Sequence, residues 1–265
     1  MTNMITIKNL QELYELNDKI THLTFDYYFN EIINKYLWNP LNITHLHFGA
    51  LFNKKIEIPT NITHLSFGNS FNQKIILSNN IIKLFLGYKF NQKIIIPQNI
   101  ICLNLSYVFK QKIIIPQNIK KITFSDNFNK KIIITQNLTH LKFGFSFNKK
   151  IILSKNITHL TFGTNFNKKI KLSQNITRLY VDGDFNQKII IPQSITYLVL
   201  MENFNKKIII SQNVTHLTFG YNFRHKIIIP YNVQYLYVCD TFNKMTIIPK
   251  HIKLCYYDND YDYNN

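Results

Sequence analysis

The segment from Ile62 to Asn80 reads ITHLSFGNSFNQKIILSNN, and a unit of the same pattern, ITHLTFGTNFNKKIKLSQN, starts at Ile157. The apolar residue that opens the unit recurs every 19 residues without an insertion or a deletion, at Ile43, Ile62, Ile81, Ile100, Ile119, Leu138, Ile157, Ile176, Ile195, Val214, Val233 and Ile252. An earlier and more divergent unit opens at Ile20. Self-similarity at a fixed period is typical of repeat architectures. The sequence therefore predicts one array of about twelve units over residues 20–251.

Apolar and polar residues alternate within each unit, as over residues 65–67, and a second apolar run follows later, as over residues 94–97. Alternation with a period of two is typical of a β-strand. A unit of 19 residues leaves too little room for a helix in addition to a strand and two turns. The pattern predicts a mainly β solenoid with one strand on each wall of a narrow coil, in which successive coils pair as parallel strands.

The two ends of the chain depart from the repeat. Residues 1–19 contain Leu10, Leu13 and Leu16 among acidic residues, which is the spacing of a short amphipathic helix. We expect residues 1–19 to form a helical cap, because a terminal repeat otherwise exposes its core face. Residues 252–265 contain half a unit followed by an acidic tail, and we expect them to close the other end.

One phenylalanine occupies the same slot in every unit. These residues are Phe29, Phe52, Phe71, Phe90, Phe109, Phe128, Phe147, Phe166, Phe185, Phe204, Phe223 and Phe242. Stacked aromatic rings bury a large area at a fixed spacing, so this slot predicts a buried spine. The next slot is mostly asparagine, at Asn53, Asn72, Asn91, Asn129, Asn148, Asn167, Asn186, Asn205 and Asn243. Because amide side chains satisfy backbone groups of turns, we expect a structural asparagine ladder rather than a ligand site.

The composition narrows the class of protein. The chain has 265 residues, 31 Lys and Arg against 14 Asp and Glu, and a formal charge of +17. Its 7 Gly, 7 Pro and 3 Cys exclude collagen-like, low-complexity and disulfide-stapled proteins. No apolar run is long enough to cross a bilayer, and the start has no secretory leader. We therefore expect a reduced, intracellular and cytoplasmic protein without a membrane partner.

The Phe-Asn-x-x-Ile…Pro core, followed by Ile-Thr-x-Leu-x-Phe-Gly, resembles the FNIP repeat family, a relative of leucine-rich repeats that is abundant in social amoebae and giant amoebal viruses. The resemblance covers residues 20–257. It implies a leucine-rich-repeat-like solenoid, and a location in the host cytoplasm if the chain is viral. Many relatives carry an N-terminal F-box, which links them to ubiquitin ligases. The residues before the first unit are too few for that domain, so the ubiquitin link is not carried over.

The outward residues of the first strand are the candidate binding surface. Leu65 and Phe67 are expected to point into the core, and their neighbours His64 and Ser66 to point outward. The outward slots vary between units while the inner ones do not, which is typical of a recognition surface and also of neutral drift. Aromatic side chains are enriched at protein interfaces. The predicted protein-binding residues are the outward Tyr180, Tyr197, Val199, Tyr235 and Tyr237. The leading prediction is a non-catalytic scaffold for protein–protein interaction.

A lysine occupies one slot in ten consecutive units from Lys55 onward. The alternative function is the binding of nucleic acid or another polyanion along this row. The predicted residues are Lys74, Lys93, Lys112, Lys131, Lys150, Lys169, Lys188, Lys207 and Lys226. The competing interpretation is a solvated row that keeps the solenoid soluble and blocks strand pairing. Two residues later the outward slot is mostly isoleucine, from Ile76 to Ile247. Monomers rarely expose such a stripe, so a homodimer through it is a further hypothesis.

Catalytic and metal-binding motifs are absent from the sequence. Six acidic residues lie within residues 43–251, and no nucleophile elbow, phosphate loop or zinc quartet appears. His22, His45 and His64 share one slot, but neither cysteine nor carboxylate accompanies them at the spacing of metal ligands. We expect neither enzymatic activity, nor a bound metal, nor a cofactor.

Overall fold

The structure, a computed structural model, describes residues 3–38, 41–239, 242 and 246–256. It divides into two compact units, Met1–Leu138 and Thr139–Asn265, which we call the N-terminal unit and the C-terminal unit. Short β-strands dominate both units, and the described helices are one α-helix and one 3-10 helix. The mainly β solenoid with parallel strands that the sequence predicted is confirmed.

The described part of the N-terminal unit contains seven parallel strands that pair in the order of the sequence. They are β1 (Met4–Ile7), β2 (His22–Phe25), β3 (His45–His47), β4 (His64–Ser66), β5 (Lys83–Phe85), β6 (Cys102–Asn104) and β7 (Lys121–Thr123). Equivalent residues of successive units face each other, as Leu46, Leu65 and Leu84 do. The 19-residue period therefore sets the register of the sheet directly.

The first coil of the N-terminal unit differs from the expected cap. The segment predicted as a helical cap begins with strand β1, which pairs with β2. The helix α1 (Leu10–Tyr14) follows, and its Leu13 is buried. The Asn9 side chain accepts the backbone N–H of Glu12, and the Glu12 carboxylate accepts the backbone N–H of Lys8. These reciprocal bonds form a capping box that starts the helix after the strand.

The C-terminal unit repeats the same arrangement. Its described strands are β8 (His140–Lys142), β9 (His159–Phe162), β10 (Arg178–Val181), β11 (Tyr197–Leu200), β12 (His216–Phe219), β13 (Tyr235–Val238) and β14 (Lys253–Tyr256). They also pair in parallel and in sequence order. Strand β14 falls in the half unit at the end of the array. The acidic tail from residue 257 to 265 and Asn243 lie outside the described residues.

Successive coils are closest at the strands and fan apart toward the opposite wall. In the N-terminal unit, centroids of equivalent rings are 3.8–4.0 Å apart in the outward histidines, 4.9–5.1 Å in the inner phenylalanines beside the strands, and 6.0–6.3 Å in the phenylalanine spine. The corresponding distances in the C-terminal unit are 4.1, 5.4 and 6.0–6.2 Å. The strand wall is therefore the concave wall of each unit.

Only the concave wall forms a sheet. Residues 94–97, for which the sequence predicted a second strand, contain no strand, so that part of the prediction is wrong. The side chains still alternate there, because Ile96 is buried and Ile95 is exposed. Parallel strands pair at a separation of about 4.8 Å, and the coils are already 6.0 Å apart at the spine. The fanning therefore puts neighbouring return segments beyond the reach of ladder hydrogen bonds.

The core between the two walls is a column of phenylalanine rings with a row of amides beside it. Phe90 and Phe109 are fully buried, and their ring planes lie within 6° of parallel. The side-chain oxygen of Asn72 accepts the backbone N–H of Asn91, whose own side-chain oxygen accepts the backbone N–H of Lys110. The turn at this slot therefore has its backbone N–H satisfied by the preceding coil.

Candidate protein-binding face

Five outward side chains of the C-terminal unit form a continuous stack across strands β10–β14. The register places Arg178, Tyr197, His216, Tyr235 and Lys253 side by side. The Arg178 guanidinium carbon lies 5.8 Å from the Tyr197 ring centroid, and Lys253 Nζ lies 5.7 Å from that of Tyr235. Between them, the His216 ring centroid is 5.3 Å from that of Tyr197 and 4.7 Å from that of Tyr235. We call these five residues the aromatic column.

The concave geometry of the unit produces this stack. Strands about 4.8 Å apart bring in-register side chains within contact distance, and flat rings fill that distance best when they stack. A cation over the face of an aromatic ring is attracted by its π-electrons. The column therefore has three rings in the middle and one cation at each end.

The hydrogen-bond network assigns the imidazole of His216. The Thr215 hydroxyl donates to the backbone carbonyl of Thr196 at 3.1 Å and lies 3.0 Å from Nδ1 of His216. Because its one hydrogen is already used, the hydroxyl accepts from Nδ1–H, which leaves Nε2 as an acceptor. Burial, followed by the charge of Arg178, lowers the pKa of His216 below its usual value. The ring is therefore neutral at pH 7 and complements the two cations without adding charge.

Four of the five residues predicted to bind a protein lie on this face. Tyr197 and Tyr235 belong to the aromatic column, and Tyr180 and Tyr237 lie half-buried in the next outward row. Burial, together with the neighbouring Cys255 and tyrosines, raises the pKa of Tyr237, which keeps its hydroxyl protonated. The fifth residue, Val199, lies between its neighbours of that row and keeps only 4% of its surface exposed. Val199 therefore fills the row and offers little surface to a partner.

Three members of the column were not predicted. Arg178, His216 and Lys253 occupy the same slot as Tyr197 and Tyr235 in other units of the array. The sequence prediction selected aromatic residues by type and passed over the polar ones in the same slot. The shared slot is the signal that finds them, because residues 19 apart become neighbours in the sheet.

The N-terminal unit carries a histidine stack in the corresponding slot. The ring centroids of His22, His45 and His64 are 3.8 and 4.0 Å apart, and each Nδ1 lies 2.9 Å from the hydroxyl of the preceding threonine. Burial lowers the pKa of His45 to about 4, and the charges of His64, His22 and Lys83 act in the same direction. Burial, followed by Lys83 and His22, also lowers the pKa of His64. His45 and His64 are therefore neutral at pH 7.

Acidification is expected to destabilise the N-terminal unit through this stack. Histidine in the unfolded chain titrates near pH 6.5, so the unfolded state binds a proton at a higher pH than folded His45 does. The stabilisation is complete above pH 6.5 and is lost as the pH falls toward 4. We expect a loss of about 1 kcal/mol from His45, less than the pKa shift alone implies, because the ring is partly solvated.

Urea-unfolding midpoints measured at neutral and mildly acidic pH test this expectation. The His45→Gln variant should lose part of the pH dependence of wild type. The control His225→Gln, outside the stack, should keep it. The same pH dependence in wild type and His45→Gln would contradict the role of the stack.

The rest of the described structure offers little to a metal or a substrate. No group of three or more His, Cys, Asp or Glu side chains within the described residues is arranged to hold a metal ion. Cys102, Cys239 and Cys255 are free thiols. A groove of about 1120 Å³ in the N-terminal unit is lined by isoleucine, lysine, asparagine and glutamine, and by Glu57 as the single carboxylate among its described residues. One carboxylate provides no acid–base pair for general catalysis.

The lysine and isoleucine rows lie on the wall opposite the strands. The nine lysines predicted as a polyanion site, from Lys74 to Lys226, are all exposed. The isoleucines two residues later expose 81–91% of their surface. They are Ile76, Ile95, Ile114 and Ile133 in the N-terminal unit and Ile152, Ile190, Ile209, Ile228 and Ile247 in the C-terminal unit. These rows therefore occupy the convex wall of each unit.

The repeating unit also matches a known family. The family model described as FNIP Repeat matches eight segments of the chain, at residues 40–70, 52–89, 90–127, 109–146, 147–174, 166–203, 185–212 and 204–240. The chain belongs to the FNIP repeat family. The comparison of this FNIP chain with curated proteins gave no match.

The fold of the FNIP chain is similar to that of a crystal structure described as CroV588, a novel circular LRR protein. The two share 30% sequence identity with a TM-score of 0.69. The match covers 91% of this chain and 44% of the other, so the FNIP chain spans less than half the length of that protein. The likeness confirms the leucine-rich-repeat-like solenoid. No helix in the described part of the chain is long and apolar enough to cross a bilayer.

Proposed function

We propose that this FNIP chain is a non-catalytic scaffold that binds a partner protein through the aromatic column. The observation that carries the proposal is the uninterrupted stack from Arg178 to Lys253 on the concave wall. Tyrosine and arginine are enriched among the residues that dominate binding energy at protein interfaces. Their rings and planes are held in place by stacking before a partner arrives, so little conformational entropy is lost on binding.

The column favours a partner with acidic groups at a defined spacing. Its cations, Arg178 and Lys253, are four strand spacings apart, which is about 19 Å. An extended peptide covers that distance in about six residues. The hydroxyls of Tyr197 and Tyr235 and the Nε2 atom of His216 lie between the cations and offer both donors and acceptors. We therefore expect an extended segment with two carboxylates about six residues apart.

A displayed random-peptide library tests the proposal, because it needs no knowledge of the natural partner. Peptides selected on the intact chain should be enriched in pairs of acidic residues at this spacing. Replacing Tyr197, Tyr235 and Tyr237 together by serine should weaken their binding by about 2–4 kcal/mol, the cost of removing interface hot spots. Isothermal titration with one selected peptide measures the change.

Tyrosines outside the face provide the matched control. Tyr88 and Tyr107 stack on each other in the N-terminal unit with centroids 4.7 Å apart and are similarly exposed. The Tyr88→Ser/Tyr107→Ser variant should bind the selected peptide as wild type does. Circular dichroism checks that both variants remain folded. Equal affinity of wild type and the triple variant would count against the column as the binding site.

A second candidate is the binding of a polyanion along the lysine row. The exposure of all nine predicted lysines favours it, because each ammonium group is able to approach a phosphate. The array contains few aromatic residues next to this row on which bases would stack. The row is therefore better suited to contact a charged surface than to read a nucleic acid sequence.

A further inference from the structure

The convex wall of the N-terminal unit carries an exposed apolar row that its own fold does not use. Ile76, Ile95, Ile114 and Ile133 lie in four consecutive coils and expose 86–91% of their surface. Single exposed apolar residues are ordinary, but a contiguous row marks a contact site. The coils are more than 6 Å apart on this side, so adjacent isoleucines hardly shield one another. The row is thus open to an external apolar medium.

A cationic row runs alongside the apolar one. Lys74, Lys93, Lys112 and Lys131 precede the four isoleucines by two residues and are exposed like them. Residues two apart in an extended segment point to the same side. Each of the four coils therefore presents one ammonium group and one isoleucine side chain to the same partner. We call these eight side chains the Lys–Ile face.

A second copy of the chain, the occupant expected from the sequence, fits this face poorly. The wall is convex in the N-terminal unit, and two convex walls touch over few coils, whereas a stable dimer buries about 800 Å² on each partner. A second copy also brings a second row of lysines next to the first. Like charges brought together at an interface oppose association. The occupant must instead carry negative charge.

The uniformity of the face points to a partner without a sequence of its own. The outward slots of the strands differ from coil to coil, but this slot is isoleucine in all four coils and the neighbouring slot is lysine in all four. A protein partner would need matching groups repeated at the coil spacing. A lipid surface meets any such row, because its head groups and acyl chains have no register.

We propose that the Lys–Ile face docks on an anionic lipid surface. The ammonium groups contact the phosphate and carboxylate groups of the lipid heads, and the isoleucine side chains enter the boundary between head groups and acyl chains. Such peripheral binding requires no membrane-spanning segment. The C-terminal unit presents the same pair of rows in its coils at Lys188, Lys207 and Lys226. The inference does not rest on the proposed protein-binding function, which uses the opposite wall.

Vesicle co-sedimentation of the full chain tests the proposal. The wild-type chain should sediment with phosphatidylcholine vesicles that contain phosphatidylserine and remain in solution with phosphatidylcholine alone. Replacing Ile95, Ile114 and Ile133 together by threonine should weaken binding about tenfold or more, since threonine keeps the branched shape but loses the apolar contact. Replacing the same residues by valine is the matched control and should leave binding within about twofold of wild type.

The lysines are tested separately. The Lys93→Gln/Lys112→Gln/Lys131→Gln variant should also lose binding to the anionic vesicles, and binding of wild type should fall as salt is added. Because all six positions are exposed, these substitutions leave the core intact, and circular dichroism verifies that each variant is folded.

Three results would overturn the proposal. The first is a wild-type chain that fails to bind anionic vesicles at low salt. The second is binding that the threonine variant retains in full, which assigns the row to a polyanion such as RNA rather than to lipid. The third is a wild-type dimer in analytical ultracentrifugation that the threonine variant dissociates, which assigns the face to a second copy.

Discussion

Replacing Phe109 by alanine is expected to lower the free energy of unfolding by about 3–5 kcal/mol, the usual cost of removing a buried phenylalanine ring. Phe109 is fully buried, and its ring stacks on that of Phe90 with centroids 6.3 Å apart. The backbone around it is tied to the preceding coil by the Asn91 amide. The coil therefore collapses into the cavity only by giving up those bonds, which places the expected loss toward the upper end of the range.

The exposed isoleucine of the same coil is the control for this prediction. Ile114 keeps 86% of its surface exposed, so Ile114→Ala should change the free energy of unfolding by less than about 0.5 kcal/mol. Chemical denaturation followed by circular dichroism measures both variants under the same conditions. A Phe109→Ala loss as small as that of Ile114→Ala would show that the spine does not hold the coils together.

The Phe109 variant also probes how far a defect spreads. Each coil of a solenoid contacts only its neighbours, so stability is close to a sum of coil and interface contributions. A cavity in a middle coil weakens two interfaces at once. The unfolding transition of the variant should therefore broaden as well as shift, because the coils on either side of residue 109 lose part of their coupling.

Most of the fold follows from the sequence because the period converts sequence position into spatial position. Residues 19 apart, such as Leu65 and Leu84, become partners in the sheet, so a slot that is constant along the chain is a row in space. The buried phenylalanine spine, the direction of the inner leucines and the outward direction of the lysines all follow from this one rule.

The features that the sequence did not predict depend on distances between coils. The spacing grows from 3.8 Å at the His22–His45 pair to 6.0 Å at the Phe71–Phe90 pair, and this growth removes the second strand that alternation over residues 94–97 predicted. No one-letter pattern contains the spacing, because it results from the sizes of side chains on both walls. The burial of Val199 has the same origin, since larger groups of neighbouring strands cover it.

Strand β1 was missed for a different reason. Met4–Ile7 pairs with His22–Phe25 at an offset of 18 residues, and the segment between them contains the helix α1 in place of a return wall. The usual slots for phenylalanine and asparagine are therefore absent from this coil. A period search has nothing to align there, although the alternation of the strand itself is present.

The fanning of the coils also explains why the two walls have different chemistry. On the concave wall the spacing forces outward side chains to touch, so rings stack and fix their neighbours, as His216 and Tyr235 do. On the convex wall the same slots stay apart. Like charges such as Lys93 and Lys112 repel less at a larger separation, and Ile95 remains exposed. A stacked, selective surface and an open, uniform one arise from one curvature.

The concave wall depends on the absence of a side chain at Gly68. This residue follows strand β4, where the chain turns away from the sheet, and the backbone of the preceding coil passes directly against it. A Cβ atom at Gly68 would lie 2.1 Å from the backbone oxygen of Gly49 and 2.7 Å from the Cα atom of Ala50. Both are backbone atoms, so no side-chain rotation relieves the clash. Accommodation requires the two coils to separate at their closest point.

Replacing Gly68 by alanine is therefore expected to lower the free energy of unfolding by about 3 kcal/mol, at the upper end of the usual cost of overpacking. The separation would also lengthen the hydrogen bond from the Ser70 backbone N–H to the Ala50 carbonyl, which is 2.8 Å in the structure. The control is Ser66→Ala in the same coil, at a partly exposed outward position, which should change stability by less than about 0.5 kcal/mol. Urea denaturation compares the two variants, and hydrogen exchange at the Ser70 amide reports the local opening. If Gly68→Ala were as stable as Ser66→Ala, close backbone approach would not be what sets the spacing of the concave wall.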